Sequence, residues 1–541
     1  MNSSDSICNI FPAIKDIPLS FRINERIEQR EYLLNGELKI WNGPVQKVLS
    51  PVCISSRGQI QQTVIGSYPL LGKQEALAAL SSAIQAYDHG RGAWPTMTVE
   101  QRIDHMERFI FRMNEVRDEV VKILMWEIGK SHADSEREFT RTVAYISDTI
   151  RALKELDRNS SRLVIEQGII GQIRRAPLGI VLCMGPYNYP LNETFSTVIP
   201  ALIMGNIVIF KPPKLGVLLH RPLLKAFMEC FPPGVVNTVY GDGPTVAGPL
   251  MESGQIDVLA FIGSSKVSDI LRKQHPRPHR LRCILGLEAK NPAIILQDAD
   301  LDMAVNEVLL GALSFNGQRC TALKIIFVHE RIIKEFTEKL RNRLLLMNAG
   351  MPWKEDVQIT PLPDKGMVKY MKDLVEDARA KGAEIINEYG GTINETFFYP
   401  AVLFSVNRDM RIYHEEQFGP IIPLISYNDL QVPLEYIVQS NFGQQVSIFG
   451  KDPDQVACLT DPLTNQVCRV NLNSQCQRGP DIFPFTGRKD SAENTLSVSD
   501  ALRVFTIRSL VAAKDTTLNK DILRTILRER KSNFLSTDYI L

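Results

Sequence analysis

The chain has 541 residues, 44% hydrophobic and 23% charged, an ordinary globular composition too long for one hydrophobic core, so two or three domains are expected. Sixty-two Lys and Arg against 61 Asp and Glu leave a net charge of +1, which argues against a nucleic-acid footprint but allows local basic pockets. The nine cysteines, at 8, 53, 183, 230, 283, 320, 458, 468 and 476, show no CxxC and no zinc spacing with His, so neither a disulfide framework nor a metal site is expected.

No run of about eighteen uncharged apolar residues occurs and no basic-then-apolar leader opens the chain, so the expectation is a cytoplasmic protein without a membrane span. Residues 1–60 mix short apolar pieces with charge and read as an ordered N-terminal arm. From Lys73 the pattern turns helical, with Ala76, Ala79, Leu80 and Ile84 on one face and further helices over 99–129 and 133–156. A hairpin is expected near 160–178.

From Gly179 short apolar runs alternate with helices: strands at 180–184, 206–210, 235–240 and 257–262, helices at 191–205, 215–230, 244–253 and 264–273. This rhythm predicts an α/β fold of βαβ units on a parallel sheet, with ligands at the carboxyl ends of its strands. We read 61–289 as a dinucleotide-binding domain, 290–465 as a catalytic α/β domain, 466–515 as a return to the first domain with a small oligomerisation β element, and 516–541 as a charged, helix-prone tail.

Three polar runs carry chemistry. Cys320, in Phe315-Asn316-Gly317-Gln318-Arg319-Cys320-Thr321, follows a Gly-Gln turn and precedes a β-rich run, which presents a thiol from a loop. Asn188, in Pro186-Tyr187-Asn188-Tyr189-Pro190, offers amide N–H donors after a strand. Glu288, in Gly286-Leu287-Glu288-Ala289-Lys290, offers a carboxylate. Nucleophile, oxyanion donor and carboxylate together make a set for covalent catalysis. Each has a plainer reading alone: a small buried hydrophobe, a turn asparagine, a structural carboxylate.

These runs, with Phe210-Lys211-Pro212-Pro213, Pro232-Pro233-Gly234-Val235, Phe261-Ile262-Gly263-Ser264-Ser265 and Glu415-Glu416-Gln417-Phe418-Gly419-Pro420, stand in the order found in the aldehyde dehydrogenase superfamily, which the chain resembles from about 75 to 512. The Gly-Gln-Arg-Cys-Thr form and the run Gln477-Arg478-Gly479-Pro480-Asp481-Ile482-Phe483-Pro484-Phe485 resemble its non-phosphorylating, NADP-dependent glyceraldehyde-3-phosphate dehydrogenases. The resemblance implies an enzyme with two parallel-sheet domains, Cys320 as nucleophile, Asn188 in the oxyanion site and a homodimer or homotetramer.

The resemblance also assigns cofactor residues. Lys211 closes a strand where the adenosine ribose lies, and Lys214 replaces the glutamate common in NAD-preferring members, so NADP is favoured with NAD possible. Gly243, Gly263 and Ser264 sit at turns a dinucleotide approaches, and Glu416 and Phe418 match the pair at the nicotinamide ribose and ring. On the substrate side, Arg141, Arg319 and Arg478 match phosphate-binding arginines, with Tyr189 and Thr321 beside them. An adjacent cation such as Arg319, or ordered backbone N–H groups, is also expected to lower the thiol pKa.

The carboxylate departs from the family pattern. Anchored on Lys290, the position usually held by Glu is Gly286, and Glu288 lies two residues later. In an extended segment residues two apart share a face, so Glu288 either reaches the same water from a displaced position or is a structural carboxylate. The expected activity is oxidation of glyceraldehyde 3-phosphate without inorganic phosphate. The alternatives are another aldehyde such as succinic semialdehyde, or a dinucleotide-binding protein of this fold without turnover.

Overall fold

The computed structural model describes residues 7, 9–56, 58–538 and 540. Two parallel sheets organise it. The first contains β1 (Ile180–Met184), β2 (Ile207–Lys211), β3 (Val236–Thr238), β4 (Val258–Ile262) and β5 (Arg282–Gly286) in the order β3-β2-β1-β4-β5, with Ala492–Glu493 antiparallel on the far edge. Its central strands are apolar runs buried along their length because helices cover both faces. The strand order reverses between β1 and β4, which is the crevice where a doubly wound sheet takes its ligand.

The second sheet contains β6 (Asn291–Ile295), β7 (Leu323–His329), β8 (Ala401–Phe404), β9 (Ile421–Tyr427), β10 (Gln445–Phe449) and β11 (Arg469–Leu472), ordered β8-β9-β7-β6-β10-β11, with Glu384–Ile385 antiparallel beside β8. The strand run read near 467–470 is β11, and it extends this sheet parallel to β10. Residues 287–290 join the two sheets without regular structure. The carboxyl ends of the first sheet therefore meet the amino ends of the second, where the loop before β7 carries Cys320.

Three helices position the cleft: α1 (His132–Ser160), α2 (Asn192–Ile203) and α3 (Ser265–Gln274). The Ser131 hydroxyl caps α1 by accepting from the Asp134 N–H at 3.1 Å. The expected hairpin is Leu163–Glu166 against Ile169–Pro177, and Thr506–Lys514 pairs antiparallel with the latter over nine residues. In the N-terminal segment Val45–Ser56 and Gln59–Pro69 form a long hairpin that runs through residue 60. Among the described residues no helix is long and apolar enough to cross a membrane. Their eight cysteines are free thiols, and Cys8 lies outside them.

Asn206, fully buried, ties several elements together. Its Oδ1 accepts from the N–H groups of Leu178 and Gly179 at 2.8 and 3.1 Å, and its Nδ2 donates to the carbonyls of Ala201 and Phe505 at 3.0 Å each. Asn206→Leu strands these groups in an apolar interior, at about 1–3 kcal/mol for each group left unpaired. The expected result is a thermal midpoint several degrees lower by circular dichroism; an unchanged midpoint would show that Asn206 joins nothing essential.

Candidate active site

Helix Leu301–Leu313 ends in a turn that aims Cys320. Phe315, Asn316 and Gly317 all take left-handed backbone, with φ of 48°, 55° and 71°. At Gly317 a Cβ would lie 2.6 Å from the Ala312 carbonyl oxygen and 2.7 Å from that of Gly419, so only glycine fits. Asn316 is held there by Thr360, donating to its hydroxyl at 3.1 Å and accepting from its N–H at 3.0 Å. The Cys320 carbonyl accepts from Asn291 Nδ2 at 2.7 Å and Lys324 Nζ at 3.3 Å.

The thiol opens into a cavity of about 730 Å³ between the two sheets. All the residues singled out in the sequence line this cavity except Lys211 and Gly243. Burial pushes the Cys320 thiol pKa up, Glu193 pushes it further, and Lys324 and Arg478 pull against them. The expected contribution of Arg319 is corrected here. Its guanidinium turns back to the carbonyls of Leu310 and Gly311 and to Gln475 Oε1, at 3.2, 2.8 and 3.2 Å, and the cations that act on the thiol are Lys324 and Arg478.

Asn188 is buried beside this loop. Its Nδ2 donates to the Gln318 carbonyl at 2.8 Å, and Tyr187 donates from its hydroxyl to Gln318 Oε1 at 3.2 Å. The second Nδ2 hydrogen of Asn188 is the one available to an oxyanion. Its backbone carbonyl accepts from Lys130 Nζ at 2.8 Å. Lys130 is ion-paired with Glu138, and both are fully buried. Glu138 Oε1 in turn accepts from the N–H groups of Leu191 and Asn192, at 3.0 and 3.1 Å, at the start of α2. Neither residue was singled out from the sequence: Lys130 lies in the short connection before α1 and Glu138 on the buried side of α1.

Three carboxylates line the cavity. Glu193 pairs with Arg478, and Glu416 with Lys324, each in a close contact. Glu288 lies two residues past the end of β5 and lines the same cavity as Gly286. Its two oxygens accept from the Ser265 N–H at 2.9 and 3.1 Å, at the first residue of α3. A Cβ at Gly286 would come no nearer than 3.4 Å to its closest neighbour, Ile262, so the glycine is not imposed by crowding.

The arginines are less free than the sequence suggested. Arg141 makes a bidentate pair with Asp481 at 2.7 and 3.0 Å, and Arg478 sits between Glu193 and Asp481 with its guanidinium carbon 4.8 Å from the Phe485 ring centre. These acids raise the pKa of both arginines despite burial. Tyr189 packs under Lys130, whose Nζ lies 3.6 Å from the ring centre, and burial raises its phenol pKa. Thr321 is buried beside the thiol.

On the cofactor side Lys211 is buried at the end of β2, and desolvation lowers its pKa to about 8. Lys214 is exposed at the cavity rim. Ser264 caps α3 by accepting from the Val267 N–H at 3.4 Å, and a side chain at Gly263 would collide with the Phe261 ring. Gly243 is not among the residues that line the cavity, and a Cβ there would meet no protein atom within 4 Å. Phe418, at φ 40°, sets its ring edge-on to Tyr187 at 5.9 Å. Among the described residues no cluster of His, Cys, Asp and Glu is suited to a metal.

Residues 52–511 match the model of the aldehyde dehydrogenase family. The chain belongs to that family. Membership makes it an oxidoreductase of the NAD(P)-dependent aldehyde dehydrogenase type, as the ordered motifs implied. It is 30% identical over 485 residues to the NADP-dependent glyceraldehyde-3-phosphate dehydrogenase of Streptococcus equinus, covering 88% of this chain and 97% of that protein. It is 27% identical to the alpha-ketoglutaric semialdehyde dehydrogenase of Bacillus subtilis (strain 168), over 88% of this chain and 97% of that one. Among solved structures, the NADP-dependent glyceraldehyde-3-phosphate dehydrogenase of Bacillus halodurans C-125, complexed with NADP, matches with a TM-score of 0.82 and 27% identity, covering 91% of this chain and all of that one.

The charge arrangement around the thiol has a direct readout. Glu193 is a negative neighbour of Cys320 that favours the protonated thiol, so Glu193→Gln lowers the thiol pKa. Alkylation by iodoacetamide at pH 7 should be roughly threefold to tenfold faster in the variant, with its pH–rate midpoint moved down. A midpoint that stays or rises would show that Glu193 does not govern the thiol.

Proposed function

We propose that this chain oxidises glyceraldehyde 3-phosphate to 3-phosphoglycerate, with NADP and without inorganic phosphate. The observation that carries this reading is the convergence of Arg141, Arg319 and Arg478 on the cavity that holds Cys320, because a phosphate ester needs several cationic donors. The similarity to two glyceraldehyde-3-phosphate dehydrogenases named for NADP supports it. The crevice suits a dinucleotide: it lies at the switch point of the first sheet, with Lys214 at its rim and Lys211 at the end of β2.

In this reading Cys320 Sγ attacks the aldehyde carbon, and the oxyanion of the thiohemiacetal takes the second Nδ2 hydrogen of Asn188. NADP, when bound, would supply the hydride acceptor, and Cys320 would then hold the acyl group as a thioester. Glu288 takes the proton of the water that hydrolyses this thioester. Arg141, Arg319 and Arg478 hold the phosphate of the substrate, with Tyr189 and Thr321 lining its path. Lys214 meets the 2′-phosphate of the adenosine ribose, Lys211 its hydroxyl side, and Glu416 and Phe418 orient the nicotinamide end.

A second substrate reading has its own support. Asp481 and Glu193 already neutralise Arg141 and Arg478, which suits a singly charged carboxylate such as succinic semialdehyde better than a dianionic phosphate. For assembly we propose a homodimer or homotetramer through the sheet of Thr506–Lys514, which leaves Ile507, Leu510 and Val511 exposed beside Ile165 and Ile169.

NADPH formation at 340 nm, with glyceraldehyde 3-phosphate and no inorganic phosphate, should exceed that with succinic semialdehyde or with NAD. Arg141→Ala should raise KM for the phosphorylated aldehyde about tenfold or more, the worth of one charge-assisted contact, and leave unphosphorylated glyceraldehyde little changed. A preference for succinic semialdehyde would transfer the arginines to a carboxylate; silence with every aldehyde would point to a binding protein without turnover.

The Lys211 pKa of about 8 sets a pH dependence. Its ammonium attracts the dinucleotide below that pH and is lost above it, so NADP affinity should fall as pH rises through about 8. In Lys211→Arg the cation persists and the fall should disappear. A wild-type profile that stays flat to pH 9.5 would remove Lys211 from the cofactor site.

A further inference from the structure

Among the three carboxylates lining the Cys320 cavity, Glu193 is held by Arg478 and Glu416 by Lys324. Glu288 has no cationic partner among the described residues. Its oxygens are held by the Ser265 N–H at 2.9 and 3.1 Å and by the Ser265 hydroxyl at 3.4 Å. Ser265 opens α3, which starts directly after β4 at the point where the strand order reverses. A doubly wound sheet offers helix-terminal amides there to the phosphates of a dinucleotide. One N–H cannot serve a carboxylate and a phosphate together, and the two anions repel.

Resting on the reading of the chain as dinucleotide-dependent, we propose that Glu288 exchanges partners as NADP binds. In the free enzyme it occupies the start of α3; a phosphate of the dinucleotide takes the Ser265 amide and releases the carboxylate toward the thioester of Cys320. The main chain around Glu288 is fixed. The Leu287 N–H donates to the Ser491 carbonyl at 2.9 Å, the Ala289 N–H to Glu416 Oε1 at 3.1 Å, and Lys290 Nζ to the carbonyls of Ile412 and Glu415 at 2.6 and 2.7 Å. Side-chain torsions alone carry the movement, and the bare Gly286 leaves the strand end clear for it. In the step this serves, a C–O bond forms from water and the C–S bond breaks. The water proton passes to Glu288 and on to solvent, and Cys320 leaves as thiolate.

The arrangement predicts opposite effects of one residue on binding and on turnover. In calorimetric titration with NADP, Glu288→Gln and Glu288→Ala should bind at least about threefold more tightly than wild type, because a competing anion has left the helix terminus. Mixed rapidly with aldehyde and NADP, both should keep the first-turnover burst of NADPH, and the steady rate after it should fall about 100-fold or more. Gly286→Glu in the Glu288→Gln background returns a carboxylate at the strand end, away from Ser265, and should recover turnover while NADP binding stays tight. If wild type binds NADP and both variants bind it equally or more weakly at an unchanged thermal midpoint, the exchange is overturned. Wild type that binds no NADP and gives no burst overturns the functional reading itself.

Discussion

One buried ammonium holds the catalytic cleft together. Lys130 has no exposed surface and touches each part of the site that must stay in register. It pairs with Glu138, donates to the Asn188 carbonyl at 2.8 Å, and stands 3.6 and 4.4 Å from the ring centres of Tyr189 and Phe315. The Asn188 loop of the first sheet and the Cys320 loop of the second are thus positioned on the same cation. Breaking such a buried pair costs about 3–5 kcal/mol, because the remaining charge has no solvent. Glu138 carries the constraint onward by accepting from the first amides of α2. The charge of Lys130 therefore orders a loop, a turn and a helix terminus at once.

The same pairing logic sorts the charges around the cavity. Arg141 with Asp481, Arg478 with Glu193 and Lys324 with Glu416 are matched inside the protein. Three lining charges have no ionic partner among the described residues: Arg319, Lys214 and Glu288. In the proposed reaction these meet the anionic substrate, the 2′-phosphate and the attacking water. The matched pairs build a preformed, low-dielectric wall, and the unmatched charges are those a ligand can recruit without breaking a buried pair.

The βαβ rhythm was legible because strands buried on both faces, such as Ile180–Met184 and Ile207–Lys211, are continuous apolar runs between turn residues. That Cys320 and Asn188 belong to one cavity was legible because the ordered motifs that carry them are short and local. What the sequence hid was long-range. Arg141 and Asp481 lie 340 residues apart, and Arg478 and Glu193 lie 285 apart, so isolated arginines gave no sign that each brings its own counter-ion. Arg319 was misread for a related reason: adjacency to Cys320 in the chain says nothing of where a long side chain turns. For Glu288 the chain gave no sign of its partner, the Ser265 N–H 23 residues upstream.

These features bear on how the proposed nucleophile and the proposed base are kept quiet before a ligand arrives. Burial and Glu193 hold the Cys320 thiol toward its protonated form, while the Ser265 amide holds the Glu288 carboxylate at a helix terminus. Both restraints are electrostatic, and both belong to the cavity that the dinucleotide and substrate are proposed to enter. An anion at α3 competes for the amide that holds Glu288. A substrate anion drawing on Arg478 competes with Glu193 for the same guanidinium and changes the field at the sulfur. In the proposed exchange, a carboxylate in the loop two residues past the strand end has its availability linked to the occupant of α3, a link that a glutamate at Gly286 would lack.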